Sequence, residues 1–266
     1  MRVFWSIAGV EARKRMSYRV DFWLNAVIGF VAELGVAWFI VVAMFAGADR
    51  LGDFSRNGML LYFVAVILVA RIVRSADMEW SIADDIYQGA LSRYLLYPAN
   101  YGALKYATQI GALLPISIQV VLFGAWAPFA LGIPEGVHIT PASAAMCVGA
   151  LAVANALHYM SCIPLQLVAF WADNCWSLLV AHRITASLLG GLLLPLSLFP
   201  AWSQPALAAL PFRYMFAFPV DVLFGRVSPA EYAAGIAISL GWCAVFGAIS
   251  AAVWRRGTMQ YTGVGM

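Results

Sequence analysis

Five polar side chains set in hydrophobic stretches could carry chemistry: Glu33, His158, Asp173, His182 and Arg183. An enzyme built in apolar surroundings needs such groups converging at one depth, and these are scattered over several segments. A carboxylate such as Glu33 is costly in hydrocarbon, so it faces the protein interior or a water-filled cavity. It reads as part of a transport path, as a buried hydrogen-bonded acid, or as an interface residue. His182 and Arg183 are adjacent and read as interfacial anchors or as contacts to a substrate headgroup. His158 reads as a helix-packing histidine with a satisfied ring. Asp84 and Asp85 read as a solvated helix face, because no further carboxylate or histidine sits at ligand spacing. Cys147, Cys162, Cys175 and Cys243 form no CxxC pair and read as small buried hydrophobes, with no disulfide framework and no metal site.

The nucleotide motifs are missing as well. The only lysines are Lys14 and Lys105, and neither follows a GxxxxG pattern, so ATP cannot be held by a phosphate loop of this chain. No GxSxG elbow and no HExxH pair occurs. No cofactor is expected in the chain itself.

The elements that must position these groups are dictated by composition. Of the 266 residues, 63% are hydrophobic and 11% charged, whereas soluble domains run near half apolar and a quarter charged. The chain is therefore an all-α integral membrane protein. Apolar runs near the ~20 residues needed to cross hydrocarbon place six transmembrane helices at about residues 22–46, 58–75, 104–131, 142–170, 177–198 and 232–253. Pro115 and Pro128 interrupt the third, and Pro164 bends the fourth. The first span acts as its own insertion signal, because the residues before it lack a long apolar core and a cleavage site. Those residues carry Phe4, Trp5 and Ile7 ahead of Arg13, Lys14, Arg15 and Arg19, and read as an interfacial helix among lipid headgroups. Between the fifth and sixth spans lie Pro195, Pro200, Pro205, Pro211, Pro219 and Pro229. At that density no continuous span forms, and a re-entrant helical hairpin packed against protein is expected. Of the 16 Lys and Arg, only Arg50, Arg56, Arg213 and Arg226 fall outside when both termini are inside, which predicts cytoplasmic termini.

The longest polar interval, DMEWSIADDIYQGALSRYLLYPAN, lies between the second and third spans, in the cytoplasm on that topology. Met78, Ile82 and Ile86 recur every four residues on one helix face. Trp80 and Tyr87, seven apart, share a second face. Gly89 stops the helix and Pro98 closes the segment. A short helix with an apolar face between spans is a docking surface.

Within that interval, IADDIYQGALSRYLLYPAN resembles the "I…I..G.L..YLL.P.N" segment of ABC-2 type ABC transporter permeases, in the six-span subclass whose ATPase is a separate chain. LLPLSLFPAWSQPALAALPFRYMFAFPVDVLFGRVS is similar to that subclass's "PL.FFP.W.Q.....LPF.Y....P...L.G..S" region. Phe170, Trp171 and Asp173 match its FW-then-acid pattern, and WRRGTMQYTGVGM resembles a "W..G...Y...G" ending, with Gly263, Val264, Gly265 and Met266 where the family often has paired glycines. The resemblance implies that residues 1–266 form a single ABC-2 type transmembrane domain of an exporter in a cell membrane, a bacterial inner or plasma membrane. It implies a cytoplasmic P-loop ATPase dimer that binds ATP and Mg, and a second permease chain, identical or homologous. The matching coupling helix covers residues 79–88, with Glu79, Trp80, Ile82, Asp84, Asp85, Ile86, Tyr87 and Gln88 expected at the ATPase. The first 20 residues match an N-terminal elbow helix. No nucleic-acid partner is expected. Glu33, His182 and Arg183 remain the transport-path candidates. The competing readings are an intramembrane lipid-modifying enzyme and a membrane assembly subunit that does not transport.

Overall fold

The computed structural model describes residues 2–17, 19–47, 49–52, 54–74 and 79–261. Helix α1 spans Arg2–Ser17, α2 Arg19–Met44, α3 Arg56–Val73, α4 Ser81–Tyr87, α5 Leu91–Leu95, α6 Tyr101–Leu131, α7 Pro141–Gln166, α8 Trp176–Leu189, α9 Gln204–Ala209, α10 Phe212–Met215, α11 Ala217–Leu223 and α12 Pro229–Gln260. A two-residue-per-strand hairpin, β1 (Arg50–Leu51) and β2 (Phe54–Ser55), joins α2 to α3, with Arg50 opposite Ser55 and Leu51 opposite Phe54. Met78 of the expected aliphatic face and the glycines near the C-terminus lie outside the described residues.

The long helices begin where a side chain can satisfy the free amides of a first turn. Ser55 accepts from the Gly58 amide at 3.2 Å and Asn100 from the Ala103 amide at 3.0 Å. Thr140 with Ser143, and Ser228 with Glu231, form reciprocal capping boxes followed by proline at the first helical position. Pro115 and Pro128 lie inside α6 without ending it. In apolar surroundings a helix end would strand more backbone groups than one proline does.

Among the described residues, five helices are long and apolar enough to cross a membrane: Val20–Met44, Arg56–Val73, Tyr101–Leu131, Pro141–Phe170 and Pro229–Gln260. They differ in what surrounds them. In α3, 72% of the most apolar window is buried, against 17% in α2 and 11% in α12. The molecule is thus built around α3, which packs on α2, α6, α7 and α11. Phe63, Val64 and Val66 of α3 share one core with Phe30, Val41, Leu157 and Phe216. Helix α1 lies on α6, and α12 on α7.

The expected fifth span, residues 177–198, is not one helix. α8 has 14 residues, about 21 Å at 1.5 Å per residue, short of the ~30 Å hydrocarbon core. It ends because Gly191 turns into the left-handed region at φ 87°, and because Phe212 and Phe216 leave no room for a side chain at Gly190. The Tyr62 hydroxyl then donates to the Gly191 carbonyl at 2.8 Å. Beyond the turn, the prolines sit at or just before the starts of elements. Pro229 is the first residue of α12 and Pro205 the second of α9, Pro219 lies in the first turn of α11, and Pro211 immediately precedes α10. α11 returns along α7, where the Cys147 thiol points to the Pro219 carbonyl at 3.4 Å and Ser143 Oγ donates to the Leu223 carbonyl at 3.2 Å.

Candidate transport cavity and coupling site

The sequence candidates separate into two places. Glu33 and Arg183 face one cavity of about 510 Å³ between α2, α3 and the α8 region. Its walls are apolar, with Val36, Ile40, Phe63, Ile67, Leu192 and Leu193, and it also receives Arg71 and Arg74. Three guanidiniums therefore face one carboxylate. Arg71 Nη2 donates to Glu33 Oε2 at 2.8 Å, and its guanidinium lies 5.8 Å from the Phe30 ring centre. Arg74 Nη2 donates to Ser187 Oγ at 2.7 Å and lies over Phe216 at 5.0 Å. At the end of an apolar helix, Arg71 and Arg74 would be expected to snorkel to a surface. They turn inward because partners lie there. Nε of Arg71 and Nε of Arg74 are buried with no hydrogen-bond partner among the described residues. Arg183 is exposed and its side chain makes no hydrogen bond or ion pair among the described residues.

His182 points elsewhere. Its Nδ1 lies 3.9 Å from Cys162 Sγ and its ring centre 6.0 Å from that of His158. His158 is buried with Nε2 3.6 Å from Glu79 Oε1, so it links α7 to the segment entering α4. Asp173 is exposed and joins neither group. Among the described residues no set of three His, Cys, Asp or Glu side chains converges as a metal site.

Helix α4 is seated by its aliphatic face. Ile82 and Ile86 are 1% and 3% exposed, packed with Leu91, Tyr101, Leu167, Phe170 and Leu179. The Ile82 amide donates to Gln166 Oε1 at 2.9 Å, which fixes the first turn of α4 to the end of α7. Ile82 and Ile86, read from the sequence as an ATPase-facing surface, are thus engaged by the chain's own core, and Trp80 and Tyr87 are half-buried on the same cluster. Burial raises the Tyr87 phenol above its ordinary range, with the Cys175 thiol beside it adding to the effect. Asp85 is not solvated either. It accepts from Lys105 Nζ at 2.6 Å and from the Tyr101 hydroxyl at 2.6 Å. What α4 and its flank leave open is Asp84 and Gln88, one turn apart, followed by Arg93, Leu95 and Leu96. The same cluster reaches α12, where Trp254 stacks on Tyr101 at 5.4 Å and Phe170 fills the space over Gly257.

At the opposite end of α3, a cavity of about 620 Å³ is lined by Tyr62, Arg213, Asp221, Arg226 and Glu231. Burial pushes the Asp221 carboxyl up, while Arg213 and Arg226 pull it down. The sequence signal missed here is Asp221 itself, one acid inside the proline-rich run.

Five long apolar helices among the described residues, two of them lining a cation-bearing cavity, with a short helix anchored at the end of the bundle, define an all-α multi-pass membrane protein. A family model described as ABC-2 family transporter protein matches residues 31–265. The chain belongs to that family, whose members are membrane components of ABC transporters and generally work with a cytoplasmic ATPase. No curated protein and no solved structure matches the chain significantly.

Proposed function

We propose that this chain is the permease subunit of an ABC exporter, and that ATP and Mg are bound by a separate cytoplasmic P-loop ATPase dimer. Two permease chains, identical or homologous, line the pathway in a bacterial inner or plasma membrane. On this reading both termini are cytoplasmic. α8 with the turn after it supplies the sixth crossing, the α9–α11 segment is the re-entrant cap, α1 is the elbow helix and α4 the coupling helix. The observation that carries the reading is the seating of α4. It sits at one end of the helix bundle, bonded through Ile82 to α7 and through Asp85 to α6, so a push on α4 moves both helices as a rigid unit. Its open residues, Asp84 and Gln88, are where an ATPase would press.

Purification in mild detergent tests this directly. The chain should bring down a P-loop ATPase. Asp84→Arg should weaken that association about tenfold through the reversed charge at the contact, without lowering the thermal stability of the permease. An ATPase that binds the variant unchanged moves the contact off α4. A chain that purifies with no ATPase at all ends the exporter reading.

A further inference from the structure

The cavity between α2, α3 and α8 combines features that select one class of ligand. One side is hydrocarbon in character, with Val36, Ile40 and Phe63, and the other holds guanidiniums. Of the three cations, Arg71 is neutralised by Glu33 and Arg74 is tethered to Ser187, whereas Arg183 has no partner among the described residues. An apolar wall alone would accept any acyl chain, and cations alone would accept any small anion. Both together fit a molecule with an anionic head and an apolar tail.

We propose that this cavity is the binding site for an anionic amphiphile, a phosphate-bearing lipid whose headgroup pairs with Arg183 and Arg74 and whose tail lies along the apolar wall. This rests on the exporter reading only in taking that lipid as the cargo. A guanidinium presents parallel N–H donors matched to phosphate oxygens. Glu33 acts as an internal competitor. It occupies the Arg71 donor that would otherwise serve the phosphate and adds negative charge to the cavity. Removing it should therefore improve binding, the opposite of what a carboxylate that grips a cationic cargo would do.

Native mass spectrometry of the full-length chain in detergent tests the site, with dioleoyl phosphatidic acid as probe and dioleoylglycerol as its phosphate-free counterpart. Phosphatidic acid should be retained and dioleoylglycerol should not. Arg183→Gln should lower retention about tenfold, the scale of one lost charged hydrogen bond, and Arg183→Lys should restore part of it. Glu33→Gln should raise retention several-fold, and Arg50→Gln, remote from the cavity, should change nothing. Equal retention of both lipids would reduce the site to an apolar groove and overturn the proposal. So would displacement by inorganic phosphate at the concentration of the lipid, because the tail would then contribute nothing. A Val36→Cys variant that cross-links to a second copy in excess phosphatidic acid would seat protein there, with the same consequence. The exporter reading fails separately. Lipid selectivity without a co-purifying ATPase keeps the site and loses the transporter, and an ATPase partner without selectivity does the reverse.

Discussion

Single side chains show how strongly burial sets the worth of a charge in this molecule. The Asp85–Lys105 pair has side chains only 16% and 11% exposed, with the Tyr101 hydroxyl as a third member. The Arg50–Glu135 pair, at 3.9 Å, is 70% and 99% exposed. Removing one partner of a buried pair strands the other charge, so Lys105→Met should cost about 3 kcal/mol. Arg50→Gln should cost under about 1 kcal/mol, because water already serves both groups. Apparent melting temperatures of the two variants in one detergent check the contrast, and equal losses would contradict it. This difference was not legible in the sequence. Asp84 and Asp85 are neighbours of the same type, and only the seating of α4 sends one to solvent and the other to Lys105, 20 positions away. The same limit applies to Ile82 and Ile86. Their four-residue spacing correctly marks an apolar face, but spacing cannot say whether that face meets a partner or the chain's own Leu167 and Phe170.

Among the elements, α1 and α8 depend most on residues without bulk. α1 lies against α6 with Ala8 and Ala12 buried, and the backbone of Ala8 occupies the place of a side chain at Gly111. Close approach of backbones through small residues is a common way for helices to pack where hydrocarbon gives no other driving force. Gly111→Leu should therefore undock α1. A cysteine placed at Ala8, which is buried in the parent chain, should resist a water-soluble thiol reagent there and react with it in the glycine variant. Retained protection would mean that α1 is held elsewhere. For α8 the sequence contained the stop signal, Gly190 and Gly191, inside a run apolar enough to read as a full span. Hydropathy measures affinity for lipid and does not register that Phe212 and Phe216, 22 and 26 positions after Gly190, claim the space beside the glycines. The prolines were legible in number but not in placement. They fit because each falls just before an element or within its first turn, where its missing amide is not needed.

For the whole molecule, the basic-residue asymmetry and the family together predict six crossings, one of them made by the short α8 and its continuing turn. Reporter fusions decide this. Fluorescent protein at residue 266 and at an internal site in the α4–α5 segment should both be active inside, and a periplasmic phosphatase should be active near residue 135 and at neither of those two sites. A C-terminal phosphatase that is active outside would leave five crossings and reverse α12. The order of the helices was legible from hydropathy, because each long apolar run had to find a place in lipid. Their arrangement around α3 was not, since α2 and α12 are as apolar as α3 and remain far more exposed.

The docking of α1 on α6 also has a consequence for biogenesis. Ala8 and Gly111 are over a hundred positions apart, so α1 leaves the ribosome well before its receptor exists. At translation rates of roughly 5–20 residues per second, that interval is about 5–20 s. During it Phe4, Trp5 and Arg13 have only the lipid headgroups to rest on. The first helix made thus cannot reach its final place until the third long apolar helix exists, and is held at the bilayer surface as a waiting piece until α6 is inserted beside it.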